Sequence, residues 1–298
     1  MGINKRSYPQ GFRARPGKAL LSMTSLPQPR RTDLAPDGGL SALVWPGETG
    51  ARCLLLHGLG DCAWIWQPVM ATWPGPRPTF IAPDLPGHGQ SPAAPLKDCK
   101  SARIADRMGP ALASRVGDGP VWIAGHSAGA RVAVGLVRGG ALAVSGLSLV
   151  DAAVAPGPEA RGRIMAHVAL LRRGAGSAQA LAEALAAQDP LADAGLLARY
   201  VGAAGCEGGA GWHVPVGRGA EALMSSDIDM GSELAVIDCP VQIIRGAYSS
   251  FCPAETASTL ADAARHPLPV VTIAKAGHAI GMDQPAALAI ALADAMPA

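Results

Sequence analysis

This chain of 298 residues is short of charge, of clustered cysteine and of long apolar runs, and each shortage removes a class of protein. No stretch free of charge reaches the roughly 18 to 20 apolar residues that cross a bilayer, the best runs being broken by Pro, Gly or Gln, so no membrane partner is expected. Charged residues make up 16% against 49% hydrophobic ones, which excludes a disordered or heavily solvated chain. The six cysteines (Cys53, Cys62, Cys99, Cys206, Cys239 and Cys252) form no C-x-x-C pair and no Cys/His cluster. No metal site and no disulfide framework are expected from them, and a reducing cytoplasm is the expected location. Internal repeats are absent too.

The net charge of +2 conceals an asymmetry: residues 1–31 carry seven basic side chains and no acid, leaving 18 basic against 23 acidic residues, a balance of −5, for the rest. That mildly acidic body argues against nucleic acid as a partner. Residues 1–31 read as a disordered basic leader, because the apolar stretch 19–23 is too short for a signal peptide and lacks an A-x-A site. An upstream start, with Met23 as the true initiator, is the alternative. The 37 Gly and 26 Pro, about a fifth of the residues, mark a globular protein with many turns.

From residue 41 onward, apolar runs at 41–45, 52–56, 79–83, 121–124, 147–150, 241–245 and 270–273 alternate with segments of helical periodicity. This is the pattern of an α/β fold with a mostly parallel, doubly wound sheet. Ile104, Met108 and Leu112 form a helical stripe that Gly109-Pro110 is expected to break or kink. Pro253 and Pro285 fit the first turns of later helices. Residues 152–233 depart from the alternation, with Ser177 placed to cap a helix and a Gly-rich patch at 202–211. They read as a small helical cap inserted before the last two strands, over a core formed by residues 32–151 and 234–298.

Chemistry enters with Gly125-His126-Ser127-Ala128-Gly129. A G-x-S-x-G that follows an apolar run and opens a helix is a nucleophile elbow: the turn is too tight for larger neighbours, and it lifts the Ser hydroxyl above the sheet edge. The alternative is a tight strand-to-helix turn without chemistry. Leu54-Leu55-Leu56-His57-Gly58-Leu59-Gly60 and Asp84-Leu85-Pro86-Gly87-His88-Gly89-Gln90-Ser91 precede it. With these three segments in this order, residues 41–296 resemble the α/β-hydrolase family of lipases, esterases and epoxide-hydrolase-like enzymes.

The resemblance implies a sheet of about eight strands, with Ser127 as nucleophile and the backbone N–H groups of Leu59 and Ala128 as oxyanion donors. It also implies that the segment around Asp84 is scaffold. It assigns the base to His278, in Ala276-Gly277-His278 after the last apolar run. His57, His88 and His126 are expected to make loop hydrogen bonds, and His167, His213 and His266 to lie on the surface or in the cap, with His213 as a lesser candidate for substrate contact.

The acid is where the chain departs from the family. The turn that should carry it reads Gly246-Ala247-Tyr248-Ser249-Ser250-Phe251, without a carboxylate. Asp151, at the end of the preceding run, is the best replacement, some members of the family placing their acid there; an Asp capping a turn is the competing reading. Asp227 and Asp229 read as solvated turn residues, Asp283 as charge placed at a helix start, and Asp61 as structural.

The resemblance implies an enzyme, a serine hydrolase cleaving an ester, lactone or thioester of a small, partly apolar molecule without a cofactor. A Ser at the elbow weighs against chemistries that need a carboxylate nucleophile. Two alternatives stand beside it: carbon-carbon bond cleavage or another non-hydrolytic reaction on the same Ser/His pair, and a non-catalytic accessory protein, which the empty acid position motivates. Trp212, Met165 and Met224, with Leu170 and Leu171, are candidate apolar walls of the substrate pocket, or else core of the cap.

Overall fold

The central apolar runs lack the in-out alternation of a half-exposed strand because both faces of the sheet are covered. The computed structural model describes residues 28–35, 39–117, 119–152, 154, 156–208, 211–224 and 228–297. Most of the expected leader, residues 1–27, and Asp227 lie outside the described residues.

The strands in chain order are β1 (Arg30–Asp33), β2 (Ser41–Trp45), β3 (Arg52–Leu56), β4 (Thr79–Pro83), β5 (Val121–His126) and β6 (Val144–Val150), then β7 (Cys206–Gly208), β8 (Gly211–His213), β9 (Val241–Gly246) and β10 (Val271–Ile273). Eight of them form one sheet in the order β1-β2-β4-β3-β5-β6-β9-β10. Pairing is antiparallel around β2 and parallel from β4 to β10. The helices are α1 (Gln67–Ala71), α2 (Ser101–Val116), α3 (Ala128–Gly139), α4 (Pro158–Arg173), α5 (Ala178–Gln188), α6 (Ala194–Ala204), α7 (Met230–Leu234), α8 (Ala254–Ala263), α9 (Ile280–Asp283) and α10 (Pro285–Ala295).

Each central strand feeds two cores. Leu54, Leu56, Val121, Ile123, Leu147, Leu149, Val241 and Ile243 pack with α2, α3 and α8 on one face. Cys53, Leu55, Trp122, Ala124, Val150 and Ile244 pack with α1, α9 and α10 on the other. Three polar side chains inside the second layer are paired in series: Trp122 Nε1 donates to Ser148 Oγ at 2.9 Å, Ser148 donates to Gln242 Oε1 at 2.8 Å, and Gln242 Nε2 donates to the Ala291 carbonyl at 2.9 Å. The chain locks β5, β6, β9 and α10 in register at no cost of orphaned polar atoms.

Between β6 and β9 lie α4, α5, α6, the β7–β8 hairpin and α7. Ser177 caps α5 as expected, accepting from the Ala180 N–H at 3.1 Å. The Gly-rich patch contains the end of α6 and the hairpin. The expected cap boundary at residue 233 falls inside α7, which joins the core: Met230 and Leu234 are buried there, and Glu233 pairs with Arg138 of α3 at 3.0 Å. Helix α2 runs on through Gly109-Pro110, so the break that was one of the two expected outcomes is not there. The buried stripe of Ile104, Met108 and Leu112 outweighs the amide hydrogen bond that an exposed Pro110 forgoes.

Arg30 and Arg31, expected to belong to a disordered leader, are part of β1. The missed signal is an ion pair across the fold. Arg31 Nη1 meets Asp84 Oδ2 at 2.7 Å and Ser41 Oγ at 2.9 Å. Asp84 is fully buried and also accepts from the N–H groups of Ala63 and Gln90 at 2.7 and 3.0 Å. Removing the cation leaves a buried carboxylate short of its partner. Arg31→Ala is therefore expected to lower unfolding free energy by about 2–4 kcal/mol, the lower part of that range reflecting the partial exposure of Arg31. Arg30→Ala, at an exposed position, should change it by less than about 0.5 kcal/mol. Urea denaturation of the two variants checks this.

Candidate active site

The loops that follow β3, β5, β6, β9 and β10 all leave the carboxyl edge of the sheet, where open α/β sheets hold their ligands. Strand β5 passes into α3 through Ser127 alone, whose φ of 54° and ψ of −117° lie outside the ordinary regions for a residue with a side chain. The turn is held by close packing of backbone. A Cβ on Gly125 would lie 2.4 Å from the Gly129 carbonyl oxygen, and one on Gly129 would lie 2.5 Å from the carbonyl oxygens of Leu56 and His57. Only glycine fits at either position. Ala128 is the first residue of α3, so its N–H is among the four that a helix leaves without an internal acceptor. Leu59 lies on the cavity wall beside Gly58 and Ser127.

Ser127, His278 and Asp151 come together. The Ser127 Oγ is 3.0 Å from His278 Nε2, and His278 Nδ1 is 2.6 Å from Asp151 Oδ2. With Nδ1–H donating to the carboxylate, Nε2 is free to accept the serine proton. Asp151 follows β6 directly at a φ of 46°, and its side chain is completely buried. Its N–H donates to the Ile244 carbonyl at 2.7 Å, and its Oδ1 accepts from the Gly246 N–H at 3.0 Å.

Position 249, empty of a carboxylate, is occupied in another way. Ser249 Oγ donates to Asp151 Oδ2 at 2.5 Å and accepts from the N–H groups of Phe251 and Cys252 at 3.1 and 3.4 Å. The loop carrying it is fastened by Arg245, whose Nε donates to the Cys252 carbonyl at 2.9 Å. Two residues beyond Ser249, the Phe251 ring stacks on the His278 imidazole, 4.0 Å between centroids and 27° between planes.

Above these groups lies a cavity of about 530 Å³ between the sheet edge and the inserted helices. Its apolar wall includes Ile65, Trp66, Ile164, Leu185, Leu197, Phe251, Met282 and Leu288. Trp212, Met165 and Met224 are not on it, which corrects the sequence expectation. The Trp212 indole is turned into the cap, its Nε1 donating to the Val201 carbonyl at 3.0 Å; Met224 packs on the core; Met165 points to solvent. Leu170 and Leu171 are buried core residues. On α4, whose residues alternate between core and outside every turn, a hydrophobic residue type does not say which face it occupies.

The cavity's polar residues include Asp61, His126, Arg163, His167, Gln188, Asp189 and Tyr200. Sequence reasoning gave none of them a place at the site. Burial pushes the Asp61 carboxyl up to about 7 and the His167 and His126 imidazoles down to about 4 and 3. His126 makes the expected loop hydrogen bond, to the His278 carbonyl at 2.9 Å. Asp283 lies deeper than expected and accepts from the Gly277 N–H at 2.7 Å; burial and the neighbouring Asp189 push it up to about 8. Asp229 caps α7 with its carboxylate, and His213 meets the exposed Cys206 on the hairpin. Among the described residues no cluster of His, Cys, Asp and Glu suits a metal ion, and no helix is long and apolar enough to cross a membrane.

The sequence model of the alpha/beta hydrolase family matches residues 53–291, and the chain belongs to that family of hydrolases. The esterase Rv0045c of Mycobacterium tuberculosis is 29% identical over 261 residues, 84% of this chain and 84% of that protein. The lipase LipV of the same organism is 40% identical over 112 residues, 37% of this chain and 40% of LipV. Among solved structures, E-2-(acetamidomethylene)succinate hydrolase superposes with a TM-score of 0.74 at 24% identity, covering 89% of this chain and 97% of that one. A thioesterase domain from the curacin biosynthetic pathway gives 0.71 at 18%, covering 89% and 99%. At these identities the two superpositions speak for the fold alone.

The histidines under the site report on stability. His57 is fully buried and neutral: its Nδ1–H donates to the Gly58 carbonyl at 2.8 Å, and its Nε2 accepts from the Leu85 N–H at 2.8 Å. Burial lowers it to about 4 from an ordinary 6.5. Below 6.5 the unfolded chain binds a proton that the folded chain refuses, so this stability is whole above 6.5 and is lost as pH falls toward 4. The raised carboxyls of Asp61 and Asp283 act with the opposite sign, so a paired comparison isolates the histidine. Between pH 6.5 and 4.5 the unfolding free energy of wild type should fall more steeply than that of His57→Gln, by about 1.4 kcal/mol per pH unit. Urea titrations at a series of pH values measure it.

Proposed function

We propose that this protein is a serine hydrolase that cleaves a carboxylic ester, lactone or thioester through an acyl-enzyme. The observation that carries the reading is the line Ser127 Oγ, His278 Nε2, His278 Nδ1, Asp151 Oδ2, with steps of 3.0 and 2.6 Å, opening into a largely apolar cavity. Ser127 attacks the acyl carbon while His278 takes its proton, then returns it to the leaving group. A water molecule repeats the sequence and frees the acid. The N–H groups of Leu59 and Ala128 receive the oxyanion, a contribution of roughly 2.7–4 kcal/mol per donor in a protease with this chemistry.

Asp151 keeps the imidazole in the tautomer that leaves Nε2 basic and stabilises the imidazolium. Ser249 and the Gly246 N–H hold the carboxylate in place, so the loop that lost its acid still serves the site. The accessory-protein reading thereby loses its motive, the absence of an acid partner for His278. The match to an esterase over 84% of this chain supports ester cleavage over carbon-carbon cleavage. The segment from residue 152 to the start of α7 acts as the cap that selects substrate. Six free cysteines, five of them buried, support a reducing compartment.

Intact-mass analysis after treatment with a fluorophosphonate tests the reading. One adduct mapping to Ser127 is expected, absent in Ser127→Ala; an unlabelled, folded wild type overturns it. Asp151→Asn should slow ester turnover by about 10⁴-fold, as loss of the acid does in a known triad. Ser249→Ala should cost less, about 5- to 20-fold, since one hydrogen bond to a charged group is lost. A carboxylate restored at 249 in Asp151→Asn/Ser249→Asp should recover at least about tenfold over Asp151→Asn.

A further inference from the structure

The charges on the cavity wall do not cancel. Asp61 and Asp189 both line it. The Asp61 carboxylate makes no hydrogen bond among the described residues. It is faced by His126 from β5, with Nδ1 at 3.8 Å, by Tyr200 from α6, by Cys62 in its own loop and by His278. The nearest of these, the His126 imidazole, does not neutralise it, because burial holds that ring uncharged at neutral pH. Tyr200, 4% exposed, makes no hydrogen bond to a protein oxygen or nitrogen, its hydroxyl having the weakly accepting Cys62 thiol beside it. Asp189 accepts from the Leu191 N–H at 3.3 Å and is raised by burial.

Arg163 supplies the cationic side chain on the wall, and its charge is engaged elsewhere. It pairs with Glu159 at 2.9 Å, donates to Ser250 Oγ and lies 5.5 Å over the Phe251 ring. Asp61 also stands close to the reaction. A Cβ built on Gly58 would lie 3.3 Å from Asp61 Oδ2 and 3.2 Å from Ser127 Cβ, so the carboxylate borders the space next to the nucleophile.

Burying a carboxylate without a cation is costly, and a ligand that brings one recovers part of that cost. Resting on the serine-hydrolase reading, we propose that the cavity takes an acyl donor bearing a protonated amine a few bonds from the reacting carbonyl, held by Asp61 beside the nucleophile, with Asp189 adding negative charge elsewhere on the wall, and disfavours acyl chains that end in a carboxylate. The apolar wall encloses the rest of the acyl chain.

Three methyl esters of similar size test this, with kcat/KM measured by pH-stat at pH 8: butyrate, β-alanine and monomethyl succinate. The β-alanine ester is expected to be cleaved about tenfold better than butyrate, and the succinate monoester about tenfold worse. Asp61→Asn and, separately, Asp189→Asn should bring the ratio of β-alanine to butyrate toward one. The ratio needs only that a variant folds, and the two positions lie on different elements. A wild-type ratio at or below one, or a ratio unchanged in both variants, with Ser127 still labelled by fluorophosphonate, overturns the amine preference alone. No labelling and no turnover of any of the three esters overturns the hydrolase reading and the preference with it.

Discussion

A carboxylate with no exposure to water has to be met on every side, and Asp151 is met by three groups from two segments of chain. The His278 imidazole, the Ser249 hydroxyl and the Gly246 N–H all converge on it, from the ends of β10 and β9, while its own backbone N–H holds Ile244. The cost of burying the charge is offset only when all of these donors are in place. That requirement fixes the relative positions of the loops after β6, β9 and β10, and through His278 it sets the distance to Ser127. A Cβ on Gly246 would lie 2.0 Å from the Gly277 carbonyl oxygen, which shows how closely the second and third loops are pressed together.

The elbow is the second fixed point. Ser127 is held in a strained conformation by backbone packed so closely that Gly125 and Gly129 admit no side chain, and its N–H is tied to the Val150 carbonyl at 2.9 Å. The strand end that carries Asp151 is thus bonded directly to the residue whose hydroxyl lies at the other end of the line. Strain at Ser127 and burial at Asp151 are sustained by the same sheet, whose two hydrophobic layers and internal polar chain make it rigid. The cavity above is built differently, between the sheet edge and the inserted helices. Its wall is largely apolar, with Asp61 and Asp189 among its polar residues.

Much of the fold was legible because it is written in local patterns. The seven apolar runs correspond to strands of the sheet, β6 starting three residues earlier and β5 ending two residues later than the runs, and Pro285 and Ser177 mark helix starts as their chemistry dictates. Strand β1 escaped notice: Arg30-Arg31-Thr32-Asp33 has no apolar alternation, being an edge strand recognised by a partner at Asp84. Pro110 misled for the opposite reason, a local breaker overridden by packing. Asp61 and Phe251 each stand two residues from a position already singled out, Leu59 and Ser249, but adjacency in sequence does not give the direction of a side chain.

By itself the sequence determined the sheet, the elbow with its two glycines, and the order of the segments that carry Ser127 and His278, since each depends on a few neighbouring residues. Tertiary structure alone brought Asp151 into hydrogen-bond contact with His278, because that contact spans 127 residues and depends on which strand ends are adjacent. It likewise decided that Ser249 supports that carboxylate, that Trp212, Met165 and Met224 stand away from the cavity, and that Asp61 and Asp189 border it. Strand order and helix rotation place these side chains, and neither is encoded in the residues next to them.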